Sequence, residues 1–275
     1  MKKYIYLACA LLLGAFASCS QSETGDEAPQ SNQVILKATA DPGLQSRGAA
    51  TSPDRFAIEV YTDAACTTPA NIFSDGTNKS QNTTGEFVMV LDRTQRYYCL
   101  LWADKAGSTA YNLASLKAIA LTGKAVEAWQ GIKVIETGAT AALSVTLKRA
   151  VSKISLMETG KLRAGTLKLN FDQPTTFNVL YGTTTGSAAR PEETVTIATE
   201  VDGSTTVAKL NTNNIFVLSP ITTANLTDLT FQYEDEDAFT VPQAPLKANF
   251  NTNIKGHYTT KTHATFTATY DDEWN

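Results

Sequence analysis

His257 and His263 lie six positions apart near the end of the chain, and cysteines stand at positions 9, 19, 66 and 99. Imidazole and thiolate are the side chains that hold zinc or serve as base and nucleophile, so their neighbourhoods decide first whether the chain can do chemistry. Neither histidine has a cysteine or an acid at metal-ligand spacing, and Cys66 and Cys99 carry no thiol-protease context. The acidic run "YEDEDAF" (233–239) could offer oxygens to calcium, yet it lacks the D-x-D-x-D-G order and falls between two strand-like runs. A solvated hairpin tip is its expected place. The chain contains no G-x-S-x-G elbow and no G-x-G-x-x-G, and Gly123-Lys124 lacks the preceding glycine of a phosphate loop. The expectation is no catalytic residue, no metal, no cofactor and no enzyme activity.

Binding chemistry is the other option. Exposed aromatics can stack on sugar rings, and Trp102, Trp129 and Trp274 are the candidates. Trp274, beside Asp271, Asp272 and Glu273, is expected to face solvent, and the other two to sit in cores. A glycan or host surface ligand is therefore kept as an alternative role.

Cys19 has a chemistry of its own, set by what precedes it. Lys2 and Lys3 form a positive start, and Tyr4 to Ala17 form a 14-residue apolar run ending in small residues, the layout of a secretory signal. The run is shorter than the roughly 20 residues a membrane-spanning helix needs. The stretch "FASC" resembles a bacterial lipobox, although Phe16 stands where Leu is usual. That resemblance implies cleavage after residue 18 and acylation of Cys19, a tether whose hold grows by about 0.8 kcal/mol per buried CH₂. Residues 19–32, with Glu23, Asp26, Glu27, Gly25 and Pro29, have little to pack and read as a leash. Acids behind a lipidated cysteine resemble the surface-export signal of Bacteroidota lipoproteins. The expected location is thus the cell outer membrane, exposed at the surface. Loss of the signal removes two of the 23 basic residues and none of the 27 acidic ones, leaving a net charge of −6 (21 − 27). With its Lys and Arg dispersed, the chain is a poor nucleic-acid partner.

The elements that must position these groups read as strands. Short alternating runs bounded by Gly, Pro, Asn and Asp recur throughout: "QVILKATA" (33–40), "DRFAIEVYTD" (54–63), "EFVMVL" (86–91), "RYYCLLWA" (96–103), "GIKVIE" (131–136) and "ALSVTLKR" (142–149). After these come "GTLKLNF" (165–171), "ETVTIAT" (193–199), "NIFVLSP" (214–220), "LTFQY" (229–233) and "ATFTATY" (264–270). One short helix is expected over 111–121, where Asn112 could cap and Leu113, Leu116 and Ala120 recur at helical spacing. In "VTLKRAVSKISL" the alternation slips phase near Ala150, which turns the opposite face inward. The boundary between an N-terminal domain (33–149) and a C-terminal domain (150–275) is placed there. Export implies an oxidising compartment, so Cys66 and Cys99 could form a disulfide, with two unpaired buried thiols as the alternative.

"LKRAVSKISL", "NIFVLSP" and "PLKANFNTNIKGHYTT" leading to "ATFTATYDDEWN", in that order behind the lipobox, resemble the fimbrillin-like lipoproteins of Bacteroidales, the superfamily of type V pilus subunits. The resemblance implies an all-β chain of two tandem antiparallel β-sandwiches, transthyretin-like or immunoglobulin-like. It also implies a mechanism: an arginine-specific or trypsin-like protease removes the first strand, and a like subunit's C-terminal strand fills the groove. Here the removable strand would be 33–40, with Val34, Leu36 and Ala38 on one face. The cut would fall between Arg47 and Gly48, in the turn-rich "DPGLQSRGAATSPD". The donor would be the C-terminal run, with Ala264, Phe266, Ala268 and Tyr270 on one face and threonines on the other.

Overall fold

The computed structural model describes residues 32–41, 52–105, 107, 109–259 and 266–271, and every regular element among them is a strand. The chain as far as Arg149 forms β1 (Gln33–Ala40), β2 (Arg55–Tyr61), β3 (Lys79–Asn82), β4 (Glu86–Val90), β5 (Tyr97–Asp104), β6 (Tyr111–Asn112), β7 (Ile119–Leu121), β8 (Ala128–Ile135) and β9 (Ala142–Arg149). From Val151 it forms β10 (Val151–Glu158), β11 (Lys161–Leu162), β12 (Gly165–Asn170), β13 (Asp172–Gln173), β14 (Thr176–Asn178), β15 (Thr183–Thr185) and β16 (Ala188–Ala189). The remainder is β17 (Glu193–Ile197), β18 (Val201–Asp202), β19 (Ala208–Lys209), β20 (Ile215–Leu218), β21 (Asn225–Tyr233), β22 (Phe239–Leu246), β23 (Asn251–Gly256) and β24 (Thr267–Asp271).

The largest sheet has seven strands in the order β3-β2-β5-β8-β9-β1-β4. Its two edge strands are consecutive in the chain, so residues 83–85 bring the ends of the sheet together and nearly close it. The local sequence makes that turn: the Asn82 amide oxygen accepts the backbone N–H groups of Thr84 and Gly85, and its NH₂ donates to the Glu86 carbonyl. Gly85 has a φ of +75°, and a Cβ there would lie 2.5 Å from the Ala38 carbonyl oxygen, so glycine is what lets the start of β4 approach β1. Inside the curled sheet sits a core that includes Val34, Leu36, Phe56, Ile58, Phe87, Met89, Leu101, Trp129 and Leu147.

A second core includes Ile154 and Leu156 of β10, Ile215 and Val217 of β20, and Ile254 of β23 on one side. On the other side it takes Leu167 and Leu169 of β12, Val195 of β17, Phe231 of β21 and Val241 of β22. These belong to two sheets, β19-β10-β23-β24 with β20 also on β10, and β17-β12-β21-β22. In β22, Pro242 and Pro245 lack the N–H a ladder needs, which fits a strand that pairs with β21 alone among the described residues.

A third core joins the chain on either side of Ala150. Leu100 and Trp102 of β5, on the outer face of the seven-stranded sheet, meet Val151, Phe177, Val179 and Leu218. A four-stranded sheet, β15-β14-β7-β6, likewise pairs strands from both stretches. Residues 32–275 accordingly form one compact unit.

Two expectations are corrected. Residues 111–121 are not a helix. The chain turns where the Ala118 N–H donates to the Ser115 carbonyl, and Ile119 then pairs with Phe177. Leu116 and Ile119 are buried by the third core, and that tertiary burial overrides the local spacing. The sheets are also not wholly antiparallel, because β1 runs parallel to β9, and β10 parallel to β23. Alternation reports which face is buried and is silent on direction.

Candidate functional site

The strand pair at issue is β1 and β24. β1 lies between β4 (antiparallel, Val34 opposite Met89 and Leu36 opposite Phe87) and β9 (parallel, Leu36 beside Leu143 and Ala38 beside Val145). Its alternation puts Val34, Leu36 and Ala38 fully inside the first core and leaves Ile35 and Lys37 outside. Backbone bonds hold its ends: Ile35 N–H to the Ala141 carbonyl, Ala38 N–H to that of Gly85, and Asp41 N–H to that of Leu147. The Lys37 ammonium pairs with the Glu86 carboxylate at 3.1 Å, and both are exposed. Burial of the two large side chains, at about 1.5–3 kcal/mol each, outweighs such a surface pair, worth about 0–1 kcal/mol.

β24 is the outer strand of its sheet and pairs antiparallel with β23 of its own chain, Ile254 opposite Ala268 and Thr252 opposite Tyr270. Phe266 precedes it and packs on Phe239 and Tyr258, with ring centroids 4.8 and 5.1 Å away. A side chain at Gly256 would collide with the Phe266 ring. Ala268 rests against the second core, whereas Tyr270 stands edge-on to Phe250 at 5.2 Å and stays 43% exposed. The far edge of β24 has no partner strand among the described residues.

Cys19, Arg47, Gly48, Ala264, His263 and Trp274 fall outside the described residues. Cys66 and Cys99 do not form the disulfide: both are free thiols, Cys99 in the first core and Cys66 in the third. Burial pushes the Cys99 thiol up to about 12. Trp102 and Trp129 are completely buried and cannot meet a sugar. The Trp102 indole N–H donates to Asp104, which also binds the Arg55 guanidinium twice at 2.6 Å. The run 233–239 is the β21–β22 hairpin tip, and no cluster of three metal-binding side chains occurs among the described residues.

His257 proves to be part of a clamp that sequence could not show. The Glu158 carboxylate, fully buried at the end of β10, meets His257 Nδ1 at 2.7 Å and accepts the N–H groups of Gly160 and Tyr258. Its partner lies 99 residues away, and no spacing rule reaches that far. Arg190 is similar: its guanidinium donates to Glu193, to the Gln173 amide oxygen and to the Phe216 carbonyl. These are structural ties, each satisfying a buried charge.

A family model described as a family of unknown function (DUF6562) matches residues 26–275. Comparison with curated proteins returns no match. Among solved structures, a Bacteroides thetaiotaomicron protein described as a candidate adhesin superposes with a TM-score of 0.53 at 9% identity, covering 88% of this chain and 97% of that one. A Bacteroides ovatus protein described as a candidate cell adhesion protein gives 0.51 at 13% identity, covering 87% and 97%. A third, from Bacteroides thetaiotaomicron and described among candidate polysaccharide binding proteins, gives 0.52 at 10% identity, covering 86% and 95%. At these identities the similarity is one of fold.

Proposed function

The chain belongs to the DUF6562 family, a family of unknown function, and we propose that it is a lipid-anchored structural protein of the cell surface whose first strand can be replaced by the C-terminal strand of a second copy. In this reading residues 33–149 and 150–275 are two sandwich-like halves, Cys19 carries the acyl anchor in the outer membrane, and cleavage after Arg47 releases β1. The observation that carries it is the geometry of β1. It occupies a slot with a strand on either side, fills it with one row of apolar side chains, and presents its other face to solvent. A strand held mainly by backbone pairing and one plugging row is interchangeable with any other that alternates in the same way. Phe266, Ala268 and Tyr270 supply such a row. The solved structures of like fold are described as candidates for adhesion, which agrees with a surface role and with a chain that performs no catalysis.

The experiment has two parts. The N-terminal residue of the protein recovered from outer membranes is read: acylated Cys19 marks the tethered form and Gly48 the processed one. Size-exclusion chromatography then follows limited cleavage in vitro. Assemblies larger than a monomer are expected after the cut, and none when residues 261–275 are deleted. A chain that stays monomeric before and after cleavage defeats the proposal.

A further inference from the structure

The β21–β22 hairpin carries an irregularity that β1 and β24 have no use for. The register between the two strands shifts between Thr227 and Leu229, so Pro242 and Gln243 of β22 stand as a bulge opposite the single residue Asp228, and Gln243 adopts a φ of +51°. A left-handed backbone at a residue other than glycine costs energy of order 1–3 kcal/mol and persists where surrounding structure enforces it. Here the Gln243 N–H donates to one Asp228 carboxylate oxygen at 2.8 Å. The bulge forms one wall of a cleft of about 540 Å³ whose other side is Asp172 and Gln173 of β13 with Gly186 and Ser187 just before β16; Asn225 and Leu226 also line it. A second cleft of about 300 Å³ adjoins it and shares Asp172 and Asp228. Together they fall within the size range of small-molecule sites, about 300–1,000 Å³.

The chemistry of the lining is specific. The Asp172 carboxylate, the second oxygen of Asp228, the Gln243 amide and the Ser187 hydroxyl have no hydrogen-bond partner among the described residues. They offer both donors and acceptors. Leu226, 62% exposed, gives a flat apolar surface among them. No lysine or arginine lines the larger cleft, and the arginine of the smaller one, Arg190, is engaged by Glu193 and Gln173. Such a lining suits a ligand that is rich in hydroxyls, carries CH faces and has no negative charge. We propose that this double cleft binds a segment of neutral glycan, with carboxylates and amides bridging adjacent hydroxyls and Leu226 under one ring. The site shares no residue with β1 or β24, so it stands whether or not subunits exchange strands.

Isothermal titration of the full chain with short manno-, gluco- and galacto-oligosaccharides tests this, with a polygalacturonate oligomer and an oligolysine peptide as charged controls. Binding of at least one neutral sugar is expected, and none of polygalacturonate. Asp172→Ala should weaken that binding roughly tenfold or more, the loss of a charged hydrogen bond, while leaving the urea midpoint unchanged. Ser187→Trp, which fills the cleft, should abolish it. The proposal is overturned if no neutral sugar binds, if oligolysine alone binds, or if both variants retain the parent affinity.

Discussion

β1 and β10 open the two stretches of the chain and occupy comparable places, each an interior strand with one parallel neighbour late in its own stretch. They are held in opposite ways. β1 alternates buried and exposed, with its ion pair Lys37–Glu86 in solvent. β10 is buried along nearly its whole length, and its polar side chains are locked in place. The Ser152 hydroxyl bonds that of Ser219, the Ser155 hydroxyl donates to Asn251, and the Asn211 amide bonds the backbone of Ile154 and Leu156. Glu158 ends the strand in its clamp with His257. A strand stitched by buried polar bonds is irreplaceable, because a substitute would orphan each partner. A strand held by one apolar row and a backbone ladder leaves few such partners behind, which is what the proposed exchange requires.

The sharpest break of this contrast is expected at Glu158. Glu158→Ala orphans two backbone N–H groups and the His257 ring, and should lower the free energy of unfolding by about 3–5 kcal/mol, read from urea denaturation. Next comes Leu36→Ala, which empties the centre of the β1 row and should cost about 2–5 kcal/mol, whereas Ile35→Thr on the opposite face should stay within about 0.5 kcal/mol. If the two β1 variants cost the same, the strand does not hold by a single row.

The lysines of the two strands make a finer test. Desolvation, with Lys209 and Arg149 nearby, lowers the buried Lys153 ammonium from 10.5 to about 8. Between those values the unfolded chain holds the proton and the folded one has released it, so this group makes stability rise with pH there and adds no slope below about 8. The stability difference between Lys153→Met and the parent should therefore be most favourable to the variant at neutral pH and should shift toward the parent from about pH 8 to 10.5. The smallest effect is expected from Lys37→Ala, which removes an exposed pair worth about 0–1 kcal/mol and should fade further in salt.

Sequence made β1 legible because one of its faces is wet, and alternation reports exactly such half-buried strands. The same holds for β4 (Glu86–Val90) and for β24 beside Phe266. It could not reveal that β1 runs parallel to β9 and β10 parallel to β23, since direction leaves no trace in periodicity. It misread 111–121, where the apolar residues that fit a helical face are buried by a strand more than fifty positions later. The Glu158–His257 clamp and the cleft at Asp228 were hidden for the same reason: each joins residues brought together by topology alone. The bulge had a faint local sign in "VPQAP" (241–245), a strand interrupted by two prolines.

Cross-linking tests the exchange of β1 most directly. Val88 of β4 faces out beside Ile35, in a different sheet from Thr269 of β24, so the two positions meet only if a second copy's C-terminal strand occupies the β1 slot. A chain carrying Val88→Cys together with Thr269→Cys, or with Thr267→Cys to allow for a register shifted by two residues, is oxidised before and after cleavage at Arg47. A ladder of disulfide-linked multimers is expected on a non-reducing gel after cleavage alone. Loss of β1 with no multimer in either register would contradict the account.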